Sequence, residues 1–331
     1  MNYSINNLST DKDLCSVVIP CYNAENTIID TLESVLQQDY LGFDVIVIDD
    51  GSTDNTAMQV WEFKERLNAA GVKLQLISQK NAGVSAARNR GVQESTAPYI
   101  AFLDADDRWA TNKLSNHLRH LEENLDIGIS FARCRVLSKE LDKNGNATQQ
   151  VSTLPVNQQQ LSSVFAENPT TTTSNLVLRR SMFNELGGFN ETMSFAEDQE
   201  FIVRVISQTP FKVVGIDQVL VDYLTSEDGL SSELGNMYQG WLKMVEAVRV
   251  YEPDFVEQHF KQAEAQYCRY LARRNLRLGA DPAEGWGFSK QAIKADWREM
   301  LRQPKRTVPV HALNFLRAMS PMVSRTKATM P

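Results

Sequence analysis

Three carboxylates stand within four residues at Asp104-Ala105-Asp106-Asp107, directly after the apolar run Tyr99-Ile100-Ala101-Phe102-Leu103. Asp-x-Asp at a strand end suits a hard divalent cation, because Mg²⁺ and Mn²⁺ take oxygen ligands and share them readily with substrate phosphates. The competing assignment is a turn in which Asp107 or Thr111 caps a helix beginning near residue 110. Two other strand-like runs also end in polar residues. Ser16–Pro20 leads into Cys21-Tyr22-Asn23-Ala24-Glu25-Asn26, and Phe43–Ile48 into Asp49-Asp50-Gly51-Ser52-Thr53-Asp54. A further tip, after Lys73–Ile77, carries Asn81 and Gly83 and opens a helical stretch with Ser85, Arg88, Asn89 and Arg90. Far downstream, Glu197-Asp198 opens a helical segment with an apolar stripe at Phe201 and Val205. Acidic residues there also serve the helix dipole.

These groups converge only if their strands lie side by side and run the same way. Between the runs, Ile28, Ile29, Leu32, Val35 and Leu36 recur at near-helical spacing, Asn55–Ala69 reads as a helix, and a helix over about 110–124 precedes a strand at Ile127–Phe131. Strand and helix alternating in this way predict a parallel, doubly wound α/β sheet. Ligands bind such sheets at the carboxyl ends of the strands. No Gly-x-Gly-x-x-Gly follows the first strand and no Gly-x-x-x-x-Gly-Lys-Ser/Thr occurs, which counts against dinucleotide-binding and P-loop enzymes. Phosphate charge would then be met by a metal on the carboxylates and a cation such as Arg88. An aspartate-nucleophile phosphatase would carry Thr or Val where this chain has Arg108-Trp109.

Val17–Glu25, Ile48–Asp54, Asn81–Asn89 and Phe102–Asp107, in this order, resemble the family 2 glycosyltransferases, inverting enzymes that use nucleotide-sugar donors. The resemblance covers about residues 14–225. It implies a GT-A (Rossmann-like), mostly parallel sheet flanked by helices, with a helical C-terminal extension outside the match. It also implies that Pro20, Tyr22, Asn23, Glu25 and Asp50 hold the base and ribose of the donor, and that Asn81, Gly83 and Arg88 border the donor pocket. Asp106 would bind Mn²⁺ or Mg²⁺, with Asp104 nearer the ribose or sugar. Glu197-Asp198 matches the family's Glu-Asp pair, whose Asp is the catalytic base. Inversion by single displacement requires one carboxylate to take the acceptor hydroxyl proton, and Asp198 is that group. Glu197 and Arg204 fall on the acceptor side. Many relatives carry Tyr-Arg-x-His where this chain has Tyr223-Leu224-Thr225-Ser226, so Leu224 and Ser226 replace the Arg and His.

The expected organisation is a catalytic domain over 1–234, with a donor half at about 14–137 and an acceptor half at about 138–234, followed by helices over 235–331. The polar stretch 137–168 reads as loop-rich, and Gly187-Gly188 as the stop of a short helix. His117 and His120 read as a solvated helix face. Trp241, Met244, Val245 and Val248, then Tyr267, Tyr270 and Leu271, then Ile293, Trp297, Met300 and Leu301 form stripes suited to packing, dimerisation or a membrane surface. Residues 261–331 hold 14 Lys and Arg against 5 Asp and Glu, while the first 260 hold 20 against 36. A basic tail on an acidic body suggests peripheral contact with an anionic lipid surface. No run is apolar enough to span a bilayer, and four cysteines without framework spacing point to a cytoplasmic protein. The expected activity is transfer of a sugar, most simply from a UDP-sugar, to a glycan or lipid-linked acceptor hydroxyl in surface polysaccharide synthesis. No nucleic-acid partner is expected. A sugar-nucleotide nucleotidyltransferase and a non-catalytic nucleotide-sugar-binding scaffold are the alternatives.

Overall fold

A computed structural model describes residues 13–141, 147–225 and 233–319. The chain runs β1 (Cys15–Cys21), α1 (Ile28–Leu36), β2 (Phe43–Asp49), α2 (Thr56–Ala69), β3 (Leu74–Ser78), α3 (Val84–Glu94), β4 (Tyr99–Phe102), β5 (Arg108–Trp109), α4 (Lys113–Glu123), β6 (Ile127–Leu141), β7 (Ala147–Val151) and α5 (Leu161–Ala166). After a 3-10 turn at Thr173–Asn175 come β8 (Val177–Arg179), α6 (Arg180–Glu185), α7 (Glu197–Gln208) and β9 (Lys212–Thr225). The helices α8 (Leu234–Tyr251), α9 (Pro253–Leu278), α10 (Pro282–Asp296), α11 (Glu299–Arg302) and α12 (Pro304–Met319) follow.

One sheet holds all nine strands of the described residues, in the order β3-β2-β1-β4-β8-β6-β9-β5 with β7 beside β6. The first four are parallel, as their continuous apolar runs require when both faces are buried. Val18, Ile100 and Phe102 face one apolar cluster, and Val17, Ile19, Ala101 and Leu103 face the other. Helix α3 packs so closely on β1 that a Cβ on Gly91 would stand 2.3 Å from Val18 Cγ1. From β8 onward the sheet is mixed: β8 is antiparallel to β4 and β6, and β6 is parallel to β9.

The stretch 137–168 is more ordered than its composition suggests. It contains the end of β6, then β7 and α5, with residues 142–146 outside the described residues. The polar outer part of β6 is held by pairing with β9, for example Arg135 against Asp222 with two bonds of 2.7 Å, so apolar alternation is not its signal. His117 is buried, not solvated. It contacts Lys113 Nζ at 3.2 Å and Ser130 Oγ at 2.8 Å, and burial pushes the Lys113 ammonium down to about 7. All four cysteines are buried and free.

The C-terminal helices share the core on the α7 side of the sheet. Trp241 is fully buried, donates its indole N–H to Phe165 O at 3.0 Å and stacks on Tyr267. One apolar cluster runs from Phe102 and Phe201 through Trp241 and Leu271 to Val310. The third stripe behaves differently, because Trp297 is 54 % and Leu301 70 % exposed.

Candidate active site

A crevice of about 770 Å³ opens at the carboxyl edge of β1, β2 and β4, with α3 and the start of α7 as its far wall. Pro20, Tyr22 and Asn23 line it from the loop after β1, Asp50 from the loop after β2, and Asn81, Gly83 and Arg88 from the start of α3. Asp104 and Asp106 line it from β4, and Glu197 and Asp198 from α7. Tyr22 lies at the mouth and is 53 % exposed.

Two loops are fastened to each other before any ligand arrives. Thr53 N–H donates to Asn23 Oδ1 at 2.8 Å, and Ala24 N–H to Thr56 Oγ1 at 2.7 Å. Asp50, buried, accepts from the backbone N–H of Ala82 and of Gly83 at 2.9 Å and from Gln79 Nε2 at 2.8 Å. Its carboxylate therefore shapes the Asn81–Gly83 turn, where Gly83 has a φ of +91° that side chains resist. Glu25 departs from expectation. It turns away from the crevice to accept from Asn55 N–H and Nδ2 at 3.0 Å, because the start of α2 offers it donors.

Arg88 joins the two halves of the site. Buried, it donates through Nη2 to Asp104 Oδ1 at 2.6 Å and through Nη1 to Glu197 Oε1 at 2.7 Å. Arg88 lines the crevice as expected, but two of its guanidinium nitrogens are engaged by carboxylates of the protein. Arg204 is also placed elsewhere. It forms an (i, i+4) pair with Glu200 at 2.7 Å and donates to the carbonyls of Leu186 and Gly188, securing the turn before α7.

Asp107 caps nothing. Fully buried, it accepts from Ser174 Oγ at 2.6 Å, Thr172 Oγ1 at 3.1 Å and Leu224 N–H at 3.1 Å. Burial first, then Asp106 and Asp104, push it well above the usual carboxylate range. It ties the Asp104–Asp106 turn to the Thr170–Asn175 segment and to the end of β9. Leu224 thus contributes its backbone here, and Ser226 lies outside the described residues.

Asp198 accepts from Asn168 Nδ2 at 2.7 Å and from Gln199 N–H at 2.7 Å. Desolvation, reinforced by Glu197 and opposed by Arg88 and these donors, pushes it up to about 6. The residue before α7, Ala196, sits at φ +59°, and Thr171 at φ +72° and Asn23 at φ +50° are the other non-glycine residues in that region among those described. All three line the crevice, the clustering of backbone strain expected at a functional site. Asn168 and Thr171 carry no motif. Only the succession of polar residues from 168 to 175 before β8 hints at them.

Six carboxylates, Asp50, Asp104, Asp106, Glu191, Glu197 and Asp198, line the crevice against one guanidinium, Arg88, among the described residues. No group of three or more His, Cys, Asp or Glu side chains is arranged to hold a metal among those residues. The donor set fits an ion held by one or two carboxylates and completed by phosphates and water.

A mixed sheet with ligand residues on one carboxyl edge, an Asp-x-Asp turn and a buried Glu-Asp pair defines a nucleotide-sugar transferase architecture. Residues 16–187, over half of the chain, match Glycosyl transferase family 2, and the chain belongs to that family: it is a glycosyltransferase. It is 34% identical over 215 residues to the amylovoran biosynthesis glycosyltransferase AmsB of Erwinia amylovora, covering 63% of this chain and 68% of that one. It is 39% identical over 121 residues to the UDP-Glc:alpha-D-GlcNAc-diphosphoundecaprenol beta-1,3-glucosyltransferase WfgD of Escherichia coli, covering 37% and 45%. S. aureus TarS 1–349 in complex with UDP-GlcNAc superposes with a TM-score of 0.57 at 18% identity, over 92% of this chain and 90% of that one. The mannosyltransferase PcManGT from Pyrobaculum calidifontis, in complex with GDP-Man and Mn²⁺, gives 0.56 at 18% identity, over 93% and 86%. These two establish the fold.

Proposed function

We propose that the protein transfers a sugar, with inversion, from a UDP-sugar to an acceptor hydroxyl on a glycan or lipid-linked intermediate of polysaccharide biosynthesis. The names of AmsB and WfgD and the UDP-GlcNAc bound to TarS support this pathway and donor. The acidic crevice carries the reading. A nucleoside diphosphate is itself anionic and enters a site with six carboxylates only together with a cation. Asp106, exposed to the crevice, would hold Mn²⁺ or Mg²⁺, with Asp104 beside it. Such an ion would supply positive charge opposite the departing diphosphate.

The chain's own residues do the rest. Tyr22 packs its ring against the base, and the Asn81–Gly83 turn, held by Asp50, borders the ribose. Arg88 fixes the Asp104 and Glu197 carboxylates in place. Asp198, protected from bulk water, accepts the acceptor's hydroxyl proton as the oxygen attacks the anomeric carbon. The test is binding of a nucleotide-sugar panel by calorimetry with and without Mn²⁺. One donor is expected to bind with metal dependence, and Asp106→Ala to weaken it at least about tenfold, the worth of one charge-assisted contact. Binding indifferent to both metal and Asp106 would sink the assignment.

No helix among the described residues is long and apolar enough to cross a membrane. Peripheral contact at a cytoplasmic membrane face, however, is supported by α12. Val308, Leu313, Phe315, Leu316 and Met319 are 44–68 % exposed there, and just before them in the chain stand the exposed Trp297 and Leu301 and the basic Arg302, Lys305 and Arg306. The protein is expected to sediment with phosphatidylglycerol vesicles at low salt and to be released by Phe315→Glu/Leu316→Glu. Equal sedimentation of the variant rules this surface out.

A further inference from the structure

A second cavity, of about 250 Å³, adjoins the crevice and shares Asp198, Thr171, Ala196, Tyr223 and Met237 with it. Its charge is opposite. Five arginines line it, Arg269, Arg273, Arg274, Arg277 and Arg306, against the carboxylates Glu167 and Asp198. Glu167 is committed to Arg269 at 2.8 Å and to Arg306 at 3.0 Å. Among the described residues, neither Arg273 nor Arg277 forms an ion pair with a carboxylate, and Arg274 contacts Tyr270 Oη at 3.4 Å. Burial and repulsion by Arg273 and Arg274 pull the Arg277 guanidinium below its usual range, while Tyr270 opposes this. Three like charges are thus gathered on one helix beside the proposed base. Tyr267, Tyr270, Arg273, Arg274 and Arg277 follow one another along α9. Arg273 and Arg277 lie roughly 9 and 15 Å beyond Tyr267 by helical rise, and the field of Asp198 reaches Tyr267.

We propose that this cavity is the acceptor subsite and that Arg273 and Arg277, with Arg274 beside them, hold a phosphate or diphosphate carried by the acceptor. The proposal rests on Asp198 facing the acceptor hydroxyl. The sign of charge changes across Asp198: the donor side is acidic and calls for a cation, and the opposite side is basic and calls for an anion. Guanidinium groups suit phosphate because their planar donors match two of its oxygens at once. An acceptor that places its hydroxyl at Asp198 and its phosphate about two to three helical turns away fits both demands. This would discriminate against neutral glycans without any contact to the transferred sugar.

The test uses the full chain with its donor crevice filled by saturating UDP or GDP, whichever the donor panel selects, plus Mn²⁺, and inorganic pyrophosphate as probe in calorimetry. Pyrophosphate is expected to bind in a salt-sensitive manner. Arg273→Ala/Arg277→Ala weakens it at least about tenfold, Arg273→Lys/Arg277→Lys retains part of the affinity, and nucleotide affinity does not move. Displacement by glucose 1-phosphate identifies a soluble glycosyl phosphate, and displacement by farnesyl diphosphate alone identifies a lipid-borne one. Absence of pyrophosphate binding with the crevice filled, or unchanged binding by the alanine variant, overturns the proposal. Loss of nucleotide binding itself would instead indict the donor site, so the two failures are distinguishable.

Discussion

Asp198→Asn lowers sugar transfer by roughly 10²–10⁴-fold, the worth of a positioned general base, while the donor still binds. The amide keeps the volume and can still accept from Gln199 N–H, but it cannot take a proton. Because burial, then Glu197, pushes the Asp198 carboxyl up to about 6, activity falls as the pH drops through that value. Two neighbours move this limb in opposite directions. Glu197→Gln removes a like charge and shifts it to lower pH. Asn168→Ala removes a donor that favours the carboxylate and shifts it to higher pH. The same shift has a stability consequence of definite sign. The folded value lies above the ordinary 3.8, so the folded chain holds this proton more tightly than the unfolded chain. The associated stability, about 3 kcal/mol at most, is complete below about pH 4 and is lost as the pH rises through 6. The Asn variant lacks that decline. Urea titrations from pH 4 to 7 together with the pH–rate profile check both statements. Transfer by Asp198→Asn within tenfold of wild type would remove Asp198 from the role.

Arg88→Ala is expected to cost about 3–5 kcal/mol of stability and to abolish metal-dependent donor binding. Its side chain is 4 % exposed and holds Asp104 and Glu197, whose side chains are 24 % and 10 % exposed. Without it, two carboxylates face each other in a site that already contains Asp106 and Asp198, and the crevice rearranges or takes up protons. Arg88→Lys is not a conservative repair, because an ammonium is a single point of charge and cannot bridge two acids through a planar fork. It should refold the chain and leave turnover impaired. Since the charge of Arg88 also favours ionised Asp198, Arg88→Ala moves the acid limb of the pH profile upward, whereas Arg88→Lys, which keeps a positive charge, moves it less. Denaturant unfolding and donor calorimetry measure the two effects separately. Wild-type stability and metal dependence in Arg88→Ala would show that the bridge is dispensable.

The local rules of the chain determined a good deal. Apolar runs such as Val17–Ile19 and Tyr99–Phe102 must be buried on both faces, and short helical crossovers between them force parallel pairing. Their polar endings therefore meet on one edge, and Tyr22, Asp50, Asp104 and Asp106 all line one crevice. Glu197 and Asp198 at the first turn of α7 reach the same space because α7 packs its Phe201 against Phe183 and Phe189, which in turn meet Phe102.

Tertiary structure alone decided how each charge is spent. Arg88 and Arg204 are both arginines on helices near acids, yet one bridges the site from 109 residues away and the other pairs within its own helix. Asp107 and Asp106 are adjacent, yet one is buried under three donors and the other faces the crevice. Asn168 reaches Asp198 from an unpatterned loop, and Glu25 turns toward α2. The arginines of α9 become one positive wall only when that helix packs beside Asp198. Periodicity records which face of an element is buried, because burial repeats with the helix or strand. The partner of a charged side chain does not repeat, and is set by which distant segment the fold brings within about 3 Å of it.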